Sequence, residues 1–222
     1  MSIFQGVLDP QPGNLALAVF RDNELLLRSD CPMHGRDAAI LPEFAAAELK
    51  KIDLTIQDVT RWTIGSGPGS FTFLRLVAAL AAGWKFADEA MAFRSVPGAL
   101  ALAGAAGLAE EESCGVLYDG RNKEILYFGA KKVNGQIESS GETAVLNREQ
   151  AQEFFSGRAP EKLVCFECEK AAIEAILPEN FTVRAVSPEL SALAGNTSIP
   201  FDNNLDNLVY IRPAVFTAPI NN

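Results

Sequence analysis

Several places in this 222-residue chain carry residue types that can do chemistry. The first is GSGPGSFT, from Gly65 to Thr72, where a glycine-rich loop runs into a helix. Such a loop offers free N–H groups and the positive end of a helix dipole, the physical basis of an anion site. Gly67 and Gly69 would let the backbone approach a phosphate, and Ser70 and Thr72 would add hydroxyl donors. The lysine of a P-loop is missing. The same residues serve equally as a tight strand-to-helix turn with Ser70 as N-cap. Two acids come next. Asp9 directly follows Gly6-Val7-Leu8, and Asp119 follows Gly115-Val116-Leu117 after Tyr118. Acids at strand ends can hold a metal–nucleotide, or can accept turn N–H bonds. Pro10 and Pro12 remove donors where a phosphate hairpin would use them. The weak cofactor-binding candidates are therefore Asp9, Gly67, Gly69, Ser70, Thr72 and Asp119.

No catalytic residue is assigned, and no metal site is expected. His34 is the single histidine, which excludes histidine-pair metal motifs. Cys165 and Cys168 form a lone CxxC that reads best as a strand cysteine and its neighbour. A net charge of −9 disfavours nucleic acids and acidic membranes as direct partners. The start of the chain lacks the pattern of a signal peptide, and the apolar run from Pro97 to Ala109 is too short to span a bilayer. A cytoplasmic location is expected.

These motifs need elements to position them. Short apolar runs bounded by turn residues predict strands at Ile3–Leu8, Leu15–Phe20, Glu24–Ser29 and Arg61–Gly65, with helices from about Arg36 to Lys51 and from Phe71 to about Ala87. A second series follows. Strands are predicted at Cys114–Tyr118, Glu124–Lys132, Gln136–Ser140 with Thr143–Leu146, and Leu163–Cys168. Helices are predicted at Arg148–Phe155, capped by Asn147, at Glu169–Leu177, and in a short stretch capped by Ser187. Both series read strand, strand, strand, helix, strand, helix. The stretch GAAGLAEEES divides them into an N-terminal unit, 1–107, and a C-terminal unit, 112–222. This α/β plan of two duplicated βββαβα subdomains resembles the actin-like ATPase superfamily.

The helix behind the glycine loop is apolar on several sides. Phe73, Leu76, Leu80 and Trp84 lie on one, Leu74, Val77 and Ala81 on another, and Ala78, Ala79, Ala82 and Gly83 leave room for close approach. The preceding helix is broadly apolar too, through Ile40, Leu41 and Phe44. Together Ile40, Leu41, Phe44, Phe73, Leu76, Leu80 and Trp84 form the expected partner face.

The segment GSGPGSFTFLRLVAALAAGWKFA is similar to the signature of the TsaB (YeaZ) family, close to GxGPGSFTGLRIG followed by a small-residue helix. Asp9, Leu41-Pro42 near His34, DGRNKEILY (Asp119, Arg121, Glu124) and Tyr210-Ile211-Arg212 match further family features in order. Phe73 replaces the family's glycine, Pro10 its threonine, and Leu126 stands where the motif has tyrosine; the proline usual before the terminal motif is absent. The resemblance implies a divergent, non-catalytic scaffold subunit for tRNA threonylcarbamoyladenosine synthesis. It implies a TsaD-type catalytic paralogue and a TsaE-type ATPase as partners, a homodimer in isolation, and no cofactor of its own beyond ATP or ADP at a subunit interface. Two other readings stay open: a small ATPase or sugar-kinase-like enzyme of the same fold, and a degenerate homologue that acts as a self-associating module.

Overall fold

A computed structural model describes residues 3–33, 40–158 and 162–205. His34, the start of the predicted helix at Arg36, and Tyr210-Ile211-Arg212 lie outside the described residues. The first half runs β1 (Phe4–Gln11), β2 (Asn14–Arg21), β3 (Glu24–Pro32), α1 (Leu41–Lys50), β4 (Arg61–Gly65), α2 (Phe71–Ala87), β5 (Ala92–Val96) and α3 (Ala99–Gly104). The second runs β6 (Ser113–Arg121), β7 (Glu124–Val133), β8 (Gln136–Leu146), α4 (Arg148–Phe155), β9 (Lys162–Cys165), α5 (Lys170–Glu174), β10 (Val183–Ala185) and α6 (Ser191–Ala194).

The two sheets have the same order. The first is β3-β2-β1-β4-β5, and the second, read from its other edge, is β8-β7-β6-β9-β10. In each, the first three strands are antiparallel and the last two join in parallel. The repeated unit is thus βββαβαβα, one strand and one helix longer than the βββαβα read from the sequence. The hairpin turns explain the tight meanders. Asp22 and Asn23 both take positive φ (51° and 72°), the twist-matched conformation of a two-residue turn.

Local chemistry sets other boundaries. At α4, Gln150 N–H donates to Asn147 Oδ1 at 2.9 Å while Asn147 N–H donates to Gln150 Oε1 at 2.9 Å, a complete capping box. The predicted strand through Cys168 stops at Cys165, because Glu167–Glu169 turns into a 3-10 helix. The expected helix at Glu169–Leu177 is shorter, Lys170–Glu174. The short C-terminal helix begins at Ser191, after Leu190 and not after Ser187, with no side-chain cap.

Among the described residues three cores form. An outer core beneath α1 and α2 contains Leu8, Leu17, Trp62, Ile64 and Val77. A matching outer core beneath α4 and α5 contains Leu117, Ile125, Leu163 and Ile173. Between the sheets lies a shared core of Val7, Ala16, Ala99 to Ala103 of α3, Val116, Tyr118 and Leu193. The chain after β10 returns to the first sheet: Asn203 N–H donates to Phe93 O at 2.9 Å, and Ser95 Oγ to Asn204 O at 3.2 Å. The stretch 188–205 therefore packs on the first half, although it follows the second in sequence.

Candidate functional site

The glycine loop is stitched to the next strand and helix. Ser66 N–H donates to Val96 O at 2.8 Å and Ala99 N–H to Gly67 O at 3.4 Å. Gly67 takes a φ of +95°, which L side chains rarely adopt. Ser70 stands at the N-cap of α2 but its side chain makes no capping bond. Gly69, Ser70 and Thr72 are exposed, whereas Gly67 is buried.

Asp9 lies within β1, since the strand runs on to Gln11 and Pro10 pairs with Leu15. Pro10 is tolerated because β1 pairs with β4 only as far as Leu8. Asp9 is 2% exposed. Gln11 donates its Nε2–H to Asp9 Oδ2 at 3.0 Å. A Cβ on Gly65 would sit 2.0 Å from Asp9 Oδ1, and one on Gly98 2.6 Å away, so the two glycines make the room this carboxyl occupies. Burial pushes its pKa up from 3.8 to about 7, against the lowering effects of Gln11 and Arg28. This is not a turn aspartate.

Asp119 is one. Its Oδ1 accepts from Arg121 N–H at 2.8 Å, at a turn where Arg121, Asn122 and Lys123 take φ of 60°, 51° and 60°. The register separates it from Asp9. Gly6 lies opposite Trp62 and Gly115 opposite Leu163, so overlaying the Gly-Val-Leu tripeptides equates Asp9 with Tyr118 and Gly65 with Phe166. Tyr118 and Phe166 rings stack edge-on at 5.9 Å where the first half has an acid and a glycine. The structure therefore does not pair the two candidate aspartates as equivalents.

The expected partner face divides by burial. Leu41 is 1% exposed and belongs to the outer core. Phe44, Phe73, Leu76, Leu80 and Trp84 are half-buried and pack against that core, with the Trp84 ring 4.8 Å from Trp62. Ile40 is 43% exposed. The outward stripe of α2 is instead Phe71, Arg75, Ala79, Ala82 and Phe86, and Phe86 is 93% exposed. Arg75 lies over the Phe71 ring, 4.9 Å from its centroid.

Burial and flanking acids push the Cys165 thiol up to about 12; Cys168, exposed, is also raised, and neither is in a disulfide. Neither is the low-pKa thiolate of redox chemistry. Among the described residues no group of three or more His, Cys, Asp or Glu could hold a metal ion, and no helix is long and apolar enough to cross a membrane. Sequence reasoning missed Arg94, Tyr118 and Glu169. The first two lie inside short, largely apolar strands, and Glu169 stands at the start of the expected helix.

No curated protein matches the sequence. The structure is similar to YeaZ from Pseudomonas aeruginosa, with 19% identity and a TM-score of 0.69 over 87% of this chain and 91% of that one. It is also similar to an uncharacterized protein with similarity to peptidase YEAZ from Pseudomonas aeruginosa, with 18% identity and a TM-score of 0.71 over 95% of this chain and 100% of that one. At such identities these likenesses establish a common fold, two duplicated actin-like subdomains. The family model described as TsaD, tRNA N6-adenosine threonylcarbamoyltransferase, matches residues 36–194. With most of its length matched, the chain belongs to the TsaD family, as a divergent member with the fold of YeaZ.

Proposed function

We propose that this chain is a non-catalytic subunit in the formation of threonylcarbamoyladenosine in tRNA, and that it supports a TsaD-type catalytic paralogue by docking it. The family match supports the link to this tRNA modification. The observation that carries the docking role is the outward stripe of α2. Phe71, Ala79, Ala82 and Phe86 face solvent directly behind the glycine loop, with Ile40 exposed at the start of α1. An exposed aromatic flanked by small residues suits close helix packing against a partner. In isolation the same stripe would pair with a second copy, and a TsaE-type ATPase would join the assembled pair. The 2% exposure of Asp9 speaks against an independent ATPase, whose acid must reach a metal–nucleotide.

The test is co-purification of the full chain with the TsaD-type paralogue from the same cell, with modified tRNA measured after deletion. A complex, lost in Phe86→Asp while the variant's melting temperature is unchanged, is the expected result. Absence of a complex together with undiminished modified tRNA on deletion would sink the proposal.

A further inference from the structure

Side chains alternate along a strand. Val7 and Val116 face the shared core, while Leu8 and Leu117 face the outer cores. Asp9 and Tyr118, two residues beyond each valine, therefore enter the shared core from opposite sheets. Tyr118 is 4% exposed. Its phenol is held well above the ordinary value by burial, then by the nearby carboxyls of Asp9 and Glu169. Glu169, just after β9, completes the cluster. Its carboxyl accepts the Asp119 N–H, while Oε2 is buried and has no hydrogen-bond partner among the described residues.

For both acids burial outweighs the groups that favour the charged form. Facing Asp9 are Gln11 from its own strand, Ala16 from β2, Gly65 from β4, Gly98 before α3 and Tyr118 from β6; the charge of Arg28 in β3 lowers it without outweighing burial. Facing Glu169 are Tyr118, Asp119 and Arg121 from β6. Neither carboxyl forms a salt bridge among the described residues. A carboxylate that ionises at either end of this poorly solvated junction loses hydration, whereas a neutral acid does not.

We propose that Asp9, Tyr118 and Glu169 form a proton-linked latch between the two halves, tight when both carboxyls carry a proton and loosened when they ionise. The sign follows from linkage. Burial raises Asp9 from 3.8 to about 7 and Glu169 from 4.5 to about 7. The folded chain therefore holds more protons than the unfolded chain between those values. The latch's contribution is complete below the ordinary carboxylate range, is lost as pH rises toward 7, and changes no further above it.

The experiment follows the full chain from about pH 5 to about pH 8. The wild-type melting temperature should fall by several degrees as pH rises and then level, and the double variant Asp9→Asn with Glu169→Gln should lose most of that fall. Two readouts separate a latch from a general effect. Carbon-13 titration of labelled Asp and Glu carboxyls in the unmodified chain should show two groups with midpoints near 7. Amide exchange in α3, which lies between the sheets, should accelerate with pH beyond the intrinsic base-catalysed rate, while α4 should not. A wild type without the fall, a double variant with the same fall, carboxyls that all titrate in the ordinary range, or equal acceleration in α3 and α4 would each overturn the proposal. Should Asp9→Asn fail to fold, Glu169→Gln alone and the wild-type titration still decide it.

Discussion

Arg94 and Arg184 occupy the same place in the two halves and do related work in opposite surroundings. Arg94 pairs with Thr63 across β4–β5, and Arg184 with Val164 across β9–β10; Thr63 and Val164 are equivalent in the duplicated unit. Each arginine reaches the carbonyl end of the other half's last helix. Arg94 donates to Leu193 O at 3.0 Å, Ala194 O at 2.6 Å and Asn196 O around the end of α6. Arg184 donates to Ala105 O at 3.1 Å and Ala106 O at 2.9 Å, just past α3. Helix C-termini carry unpaired carbonyls and the negative end of the dipole, so a guanidinium suits both.

The difference is water. Arg94 is 3% exposed, donates further to Thr63 Oγ1 at 2.9 Å and Ile199 O at 3.1 Å, and lies 4.3 Å from the Phe201 ring centroid. Burial, then the charge of Arg61, lowers its pKa to about 10. Arg184 is exposed. Duplication has thus produced a reciprocal clasp, one arm of which the returning tail has sealed. The same hydrogen bonds count for more where water cannot replace them.

That contrast sets the scale of the expected effects. Arg94→Ala removes five hydrogen bonds, four of them buried, and should cost about 3 kcal/mol or more in urea unfolding, while Arg184→Ala should cost less than about 1 kcal/mol. Comparable losses at the two sites would break the comparison. Gly65→Ala forces a methyl onto Asp9 and should cost about 1–3 kcal/mol. Combining it with Asp9→Ala should recover much of this, and no recovery would mean that the glycine serves the backbone and not the carboxyl. Next in size are the helix starts. Asn147→Ala should cost about 1 kcal/mol through its lost cap, against no more than a few tenths for Ser70→Ala, whose hydroxyl caps nothing. A small, pH-dependent change is expected at the surface pair Glu142–Arg158. The Arg158 hydrogen bond holds the Glu142 carboxyl below its ordinary value of 4.5, so its contribution is present above that pH and fades as pH falls further. Glu142→Gln should cost less than about 1 kcal/mol at neutral pH and nothing in acid, as thermal melts at both pH values would show.

The duplicated plan was legible because each half opens with three strands whose alternation and turn residues are strong local signals. The last strand of each unit and the last helix of the first were not. β5 (AFRSV) and β10 (VRA) are short, and each carries an arginine in place of an apolar alternation. α3 consists of alanine, leucine and glycine that read as a plain apolar run, and it is helical because both sheets close on it. Within the site, the acid after Gly-Val-Leu was visible in both halves, but its register was not. One intervening residue, Tyr118, moves Asp119 to the opposite face, and only strand pairing reveals that. Likewise the greasy character of α2 was plain from its composition. Which stripe remained outside was decided by where Trp62 and the outer core took Trp84, Leu80 and Leu76.

The clasp on Arg94 also bears on how the chain is made. Its acceptors at Leu193 and Ile199 lie 99 and 105 residues further along. At ordinary synthesis rates a ribosome needs roughly 5–20 s to reach them. During that interval β5 is an uncovered sheet edge, and Arg94 must stay hydrated. The first half therefore emerges unfinished, and a stretch translated 99 to 105 residues later is the one that closes the first sheet.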